Sequence, residues 1–189
     1  MKTNKINALE AVIAALEISE NELTNWFNNR GKDKTGLILT ELPLVYRRGN
    51  ELTVENGLNL SRKSELWGIQ LLSGVMVALT CGSGNSVSDT TWGKVKNFAE
   101  KMRLNGKPGF LPSKGVLKEH WGGMEEAKFI ATVEILKENE IAADGYWGCI
   151  WCSEEYTPIS AYYFGLKDGG NDWNYKYPTN GYDRVALAF

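Results

Sequence analysis

The sequence predicts an α+β fold from three observations. Apolar residues recur every three or four positions over residues 6–16 and again over 92–102, the spacing of one helix face. Near the carboxyl end the period drops to two, with Tyr162 and Phe164 on one side of an extended segment and Tyr163 and Gly165 on the other. Between these regions, Trp67 to Thr80 (WGIQLLSGVMVALT) is the most apolar stretch and predicts a central strand around Val75 to Leu79.

Taken in order, Ile6, Leu9, Val12, Ile13 and Leu16 predict a first amphipathic helix. Ser19 and Glu22 form a capping-box pair for a second short helix through Leu23, Trp26 and Phe27 that stops at Gly31. An N-terminal helical appendage over residues 1–35 and a main domain over 36–189 follow as the expected organisation. The helical pair has the outline of a helix-turn-helix, but Glu17, Glu20 and Glu22 stand where phosphate contacts would be needed. Its expected role is packing on the main domain or on a second copy, giving a homo-oligomer.

Residues 36–60 read as strand, turn, strand around Arg47-Arg48-Gly49-Asn50, with Pro43 marking an edge or a bend and the arginines solvated at the turn. Cys81 to Ser86 is a loop by composition, and its GSGNS lacks the lysine of a phosphate-binding loop. Asp89-Thr90-Thr91 leads into a helix whose Trp92, Val95, Phe98, Ala99 and Met102 share one face. Leu111-Pro112-Ser113 turns into a second helical region, divided at Gly122-Gly123, with Val116, Leu117, Trp121, Phe129, Ile130, Val133 and Leu136 as core candidates. Lys167-Asp168-Gly169-Gly170 tolerates the positive φ angles of a tight hairpin. Asn171 to Asp183 (NDWNYKYPTNGYD) is expected to be an irregular binding loop, and Arg184 to Phe189 a last, buried strand.

Composition narrows the function classes. A chain of 189 residues with 43% hydrophobic and 23% charged residues can bury a core without covalent staples. A net charge of -2 supplies no basic field for nucleic acid or anionic lipid. No run approaches about 20 apolar residues, so membrane insertion is not expected. The first twenty positions, interrupted by Glu10 and Glu17, do not read as a secretory signal. The expected location is the cytoplasm or a phage particle, or the cell surface if the chain is trimmed. Cys81, Cys149 and Cys152 make an odd count, which disfavours a disulfide framework. The CxxC spacing of Cys149 and Cys152 has no second pair, and His120 is the only histidine, so no metal and no cofactor are expected. In a strand, residues 149 and 152 face opposite ways.

The segment from Trp151 to Gly169 (WCSEEYTPISAYYFGLKDG), with Leu111-Pro112-Ser113 upstream and the terminal RVALAF, resembles the bacterial and phage C-type-lectin-like family. That family includes variable proteins of diversity-generating retroelements and the Lcl-type C-terminal adhesion domain. Trp151, Ser153, Glu155, Tyr156, Ala161, Tyr163, Phe164 and Gly169 match its WSSTEY and AWYF pattern, while Cys152 replaces a serine and Tyr162 a tryptophan. The ending lacks the family's second arginine, and Tyr146 to Cys149 have no clear counterpart. The resemblance spans roughly residues 65 to 189.

It implies a C-type-lectin-like fold, a small twisted antiparallel sheet with two main helices and long loops, whose late strands and intervening loop bind without calcium. Ligand-binding candidates are Trp151, Glu154, Tyr156 and Tyr162, followed by Asn171, Asp172, Trp173, Asn174, Tyr175, Tyr177, Asn180 and Tyr182. Stiff aromatic area beside adaptable amides suits recognition of protein surfaces, and rings also stack on sugar faces. The expected function is a non-catalytic binding or adhesion module for a protein or glycan ligand, of the kind found on phage tails or diversified by retroelements. The alternative is a cysteine enzyme like the formylglycine-generating enzymes, which share that fold. Cys149 or Cys152 would then react, although neighbouring carboxylates raise a thiol's pKa.

Overall fold

The chain divides by its internal contacts into Met1–Ile38 and Leu39–Phe189. The computed structural model describes residues 37–80, 91–122, 124–143, 148–177 and 183–189. The expected N-terminal helices, the loop at 81–86, Asn180 and Tyr182 lie outside the described residues.

The architecture is α+β. β1 (Ile38–Arg48) and β2 (Glu51–Leu58) form the expected hairpin, turning at Gly49 with φ +63°. Arg47 closes the turn, while Arg48 stays largely solvated. Arg47 donates from Nε to the Gly49 carbonyl at 2.7 Å with its guanidinium 4.9 Å from the Phe98 ring centre, and Arg48 pairs with Glu65. Pro43 lies within β1, one residue before Leu44, where the register with β3 (Leu66–Gln70) begins.

β3 (Leu66–Gln70) and β4 (Met76–Ala78) pair antiparallel through a turn in which Gly74 N donates to Leu71 O at 2.9 Å. The single strand expected around Val75 to Leu79 is thus the second arm of a hairpin. Helix α1 (Trp92–Lys101) buries Trp92, Val95 and Ala99, and the short strands β5 (Arg103–Leu104) and β6 (Lys107–Pro108) follow it. Helices α2 (Lys114–His120) and α3 (Met124–Glu138) are separated at Gly122, whose φ of +114° is open to glycine and strained for any other residue. Ser113 caps α2 by accepting from Val116 N at 3.2 Å.

Strands β7 (Cys149–Thr157), β8 (Ser160–Gly165), β9 (Asn171–Tyr175), β10 (Asp183–Arg184) and β11 (Ala186–Leu187) complete the fold. Among the described residues there are two sheets, ordered β11-β4-β3-β1-β2-β5-β6 and β10-β7-β8-β9. This corrects the expectation of one small antiparallel sheet ending in one strand. The carboxyl segment serves both sheets. Asp183 and Arg184 pair parallel with Cys149 and Ile150, and two residues later Ala186 and Leu187 pair antiparallel with Val77 and Met76. Arg184 is fully buried at this junction, donating to the Ala78 carbonyl at 3.0 Å. The core lies where α1 meets inward side chains of both sheets, including Val45, Met76, Trp151, Ala161, Val185 and Leu187.

Candidate aromatic binding face

The candidate site is built on β7, β8 and β9. Tyr163 stands opposite Trp151 on β7 and opposite Asp172 on β9, and Tyr162 stands opposite Trp173. Alternation sorts these residues between two faces. Inward, Ala161 and Trp151 are buried and Tyr163 meets Trp151 edge to face at 6.4 Å between ring centres. Outward, Phe164 is covered by Trp121 at 6.2 Å, while Tyr162 and Trp173 belong to a ring cluster that is largely left uncovered.

Within that cluster Tyr156 stacks on Trp173 at 4.9 Å with 15° between planes, and meets Tyr162 edge to face at 5.5 Å. Tyr175 meets Trp173 edge to face at 6.2 Å. Offset and edge contacts of this kind are favourable beyond area burial. Three of the rings remain exposed, Tyr156 at 48%, Trp173 at 42% and Tyr175 at 56%. Two lysines from outside the strands brace the arrangement. The Lys114 ammonium lies 3.5 Å from the Tyr162 ring centre, a cation–π contact. Lys176 bonds Glu155 at 2.8 Å and the Pro158 carbonyl at 3.0 Å, while its ammonium lies 4.6 Å from the Trp92 ring centre. Lys176 thereby pins the end of β9 to the β7–β8 turn.

The sequence-predicted residues fall into four groups. Tyr156, Tyr162, Trp173 and Tyr175 come together as the cluster, and Tyr177 is exposed just beyond it. Asp172 and Asn174 are exposed at the outer strand, with Asn171 half-buried at its start. Glu154 is an anchor: its carboxylate oxygens accept from Lys114 N at 3.2 and 3.1 Å, holding the start of α2. Trp151, 1% exposed, cannot touch a ligand, because strand alternation turns it into the core; this corrects its assignment as a contact residue. The expectation of an irregular loop from Asn171 is corrected too. Residues 171–175 are a strand, because Trp173 and Tyr175 alternate with Asp172 and Asn174 in register with β8. Sequence reasoning missed Lys114 and Lys176, whose ring partners are distant along the chain.

On the inward side, near the hairpin turn, a cleft of about 530 Å³ is lined by Cys149, Tyr163, Gly165, Asp168 and Asp172 among others. Burial raises the Tyr163 phenol's pKa, and the nearby Asp172, Cys149 and Asp168 raise it further, so the hydroxyl stays protonated.

Cys152 is buried and reduced, and its thiol is pushed up to about 12, first by burial and then by the Glu154 charge. A thiolate nucleophile needs the opposite environment. The raised value means the folded state holds this proton more tightly than the unfolded chain. The resulting stability is complete below about pH 9, the ordinary thiol value, and is lost as pH rises towards 12. We expect iodoacetamide at pH 8 to label Cys152 only after denaturation. The midpoint of denaturant unfolding should fall between pH 8 and 10.5 by more in the wild type than in Cys152→Ala; rapid native labelling of Cys152 would contradict this environment.

Among the described residues no group of three or more His, Cys, Asp or Glu side chains is placed to hold a metal ion, and no helix is long and apolar enough to cross a membrane. No family model, curated protein or solved structure matches the chain.

Proposed function

We propose that this chain is a non-catalytic ligand-binding module of the C-type-lectin-like kind, engaging a protein or glycan through the outward face of β7–β9. The observation that carries this reading is the ring cluster itself: Tyr156, Tyr162, Trp173 and Tyr175 form a chain of ring contacts on a paired three-strand support, and Tyr156, Trp173 and Tyr175 remain exposed to solvent. Exposed aromatic groups of this size are costly to leave facing water and are enriched where proteins meet partners. Because each ring is held by its neighbours, little side-chain entropy is left to lose on binding. The Cys152 environment argues against that residue as the reactive thiol of the formylglycine-generating-enzyme-like alternative, since burial favours the unreactive thiol, which leaves Cys149 as its remaining candidate. Phage-particle or retroelement context is an extension of the same proposal, tested by the neighbouring genes: a reverse transcriptase with a near-identical template repeat would accompany a diversified protein.

The direct test is a protein and glycan array probed with the wild type, then with Trp173→Ala and Tyr156→Ala. A central aromatic contact is worth at least about 2 kcal/mol, so either variant should lose roughly thirtyfold in affinity for the ligand found. Unchanged affinity in both variants would remove this face from recognition.

A further inference from the structure

A strand at the margin of a sheet leaves half of its main-chain groups unpaired, and these can recruit another strand. Among the described residues β9 is last in the order β10-β7-β8-β9, and its residues 172–175 are exposed. The flanking bonds identify its outward amides. Gly165 N donates to Gly170 O at 2.9 Å, and Lys176 N donates to Ile159 O at 3.0 Å. Bonded and non-bonded pairs alternate in an antiparallel ladder. The register therefore makes Ala161↔Asn174 and Tyr163↔Asp172 the bonded pairs, and Tyr162↔Trp173 and Ser160↔Tyr175 the non-bonded ones. The N–H groups of Trp173 and Tyr175 consequently point away from β8. Both are already occupied, because Asp172 Oδ1 accepts from Trp173 N at 2.8 Å and Asn174 Oδ1 accepts from Tyr175 N at 2.8 Å.

We propose that Asp172 and Asn174, by occupying the outward N–H donors of Trp173 and Tyr175, disfavour strand addition to the edge of β9 by a second copy of this chain. Asp and Asn are poor strand residues in general. Here they occupy the two alternate positions from which a short acceptor reaches the next residue's outward N–H. An incoming strand would have to displace each acceptor before forming its own bond. The inference stands on main-chain geometry and does not depend on the ring cluster being a binding face.

The test uses Asp172→Ala/Asn174→Ala in the full chain, with hydrogen exchange read at the Trp173 and Tyr175 amides and sedimentation velocity over a concentration series. Exchange at both amides should accelerate about fivefold, the factor for one hydrogen bond of ordinary net strength. The double variant should also self-associate with rising concentration beyond whatever the wild type does. The swap Asp172→Asn/Asn174→Asp keeps both acceptors and should behave like the wild type. Asn174→Ala alone leaves the bond from Trp173 N to Asp172 Oδ1 in place and should accelerate only Tyr175. Equal exchange in the wild type and the double variant, unchanged association, or a swap that behaves like the alanine pair would each overturn the proposal.

Discussion

Replacing Trp151 with alanine should cost about 3–5 kcal/mol of folding stability and take the outward ring cluster with it. The indole is 1% exposed and sits near the middle of the second sheet, opposite Tyr163 and within the core that α1 and both sheets share. Removing it opens a large cavity at the point where β7 and β8 are braced from behind. Neighbouring main chain cannot collapse into that space, since the Trp92 indole donates to the Cys152 carbonyl at 2.9 Å and holds the adjacent residue in place. A chain of this size loses roughly 2–4 °C in Tm per kcal/mol, so a fall of about 10 °C is expected. Chemical denaturation checks the magnitude, and Trp151→Phe, which keeps most of the volume, should lose clearly less. A cost below about 1 kcal/mol for the alanine variant would mean that the core is not organised around this ring.

The second large effect is at a residue with no side chain. At Gly68 an added Cβ would lie 2.5 Å from the Val77 carbonyl oxygen and 3.1 Å from its carbon, so the obstruction is main chain and cannot rotate aside. Gly68 pairs with Ala78 in the β3–β4 ladder, beside the strand that receives the carboxyl segment. Gly68→Ala should therefore cost about 3 kcal/mol through forced separation of β3 and β4. Gly93 in α1 provides the contrast, because nothing lies within 4 Å of its added Cβ. Gly93→Ala should be neutral or stabilising by about 0.5 kcal/mol. Equal unfolding midpoints for the two variants would refute the close approach at Gly68.

Much of the site was legible locally and some of it was not. The split of Tyr162 and Phe164 from Tyr163 follows from strand geometry, and the structure puts Phe164 against Trp121 and Tyr163 against Trp151 as that alternation requires. The turn residues Lys167 to Gly170 predicted a hairpin, and Gly169 takes φ +64° there. β9 was misread because Asn and Asp signal loops in general, whereas at this edge their side chains occupy outward amides that a central strand would have given to a neighbour. Trp151 was misassigned for a related reason: aromatic residues suit both core and surface, and only its partners distinguish them.

The chain's own residues thus determined its elements, since a period of 3.6 or 2 and the φ preferences of glycine are properties of a few neighbouring positions. Tertiary structure alone decided which rings meet. Tyr156, Tyr162 and Trp173 are brought together by strand register, Lys114 reaches Tyr162 and Lys176 reaches Glu155 from outside those strands, and Asp183 to Leu187 divide between two sheets. Such contacts join residues remote along the chain, and they form only where burying the shared core offsets the entropy of closing the loops between them.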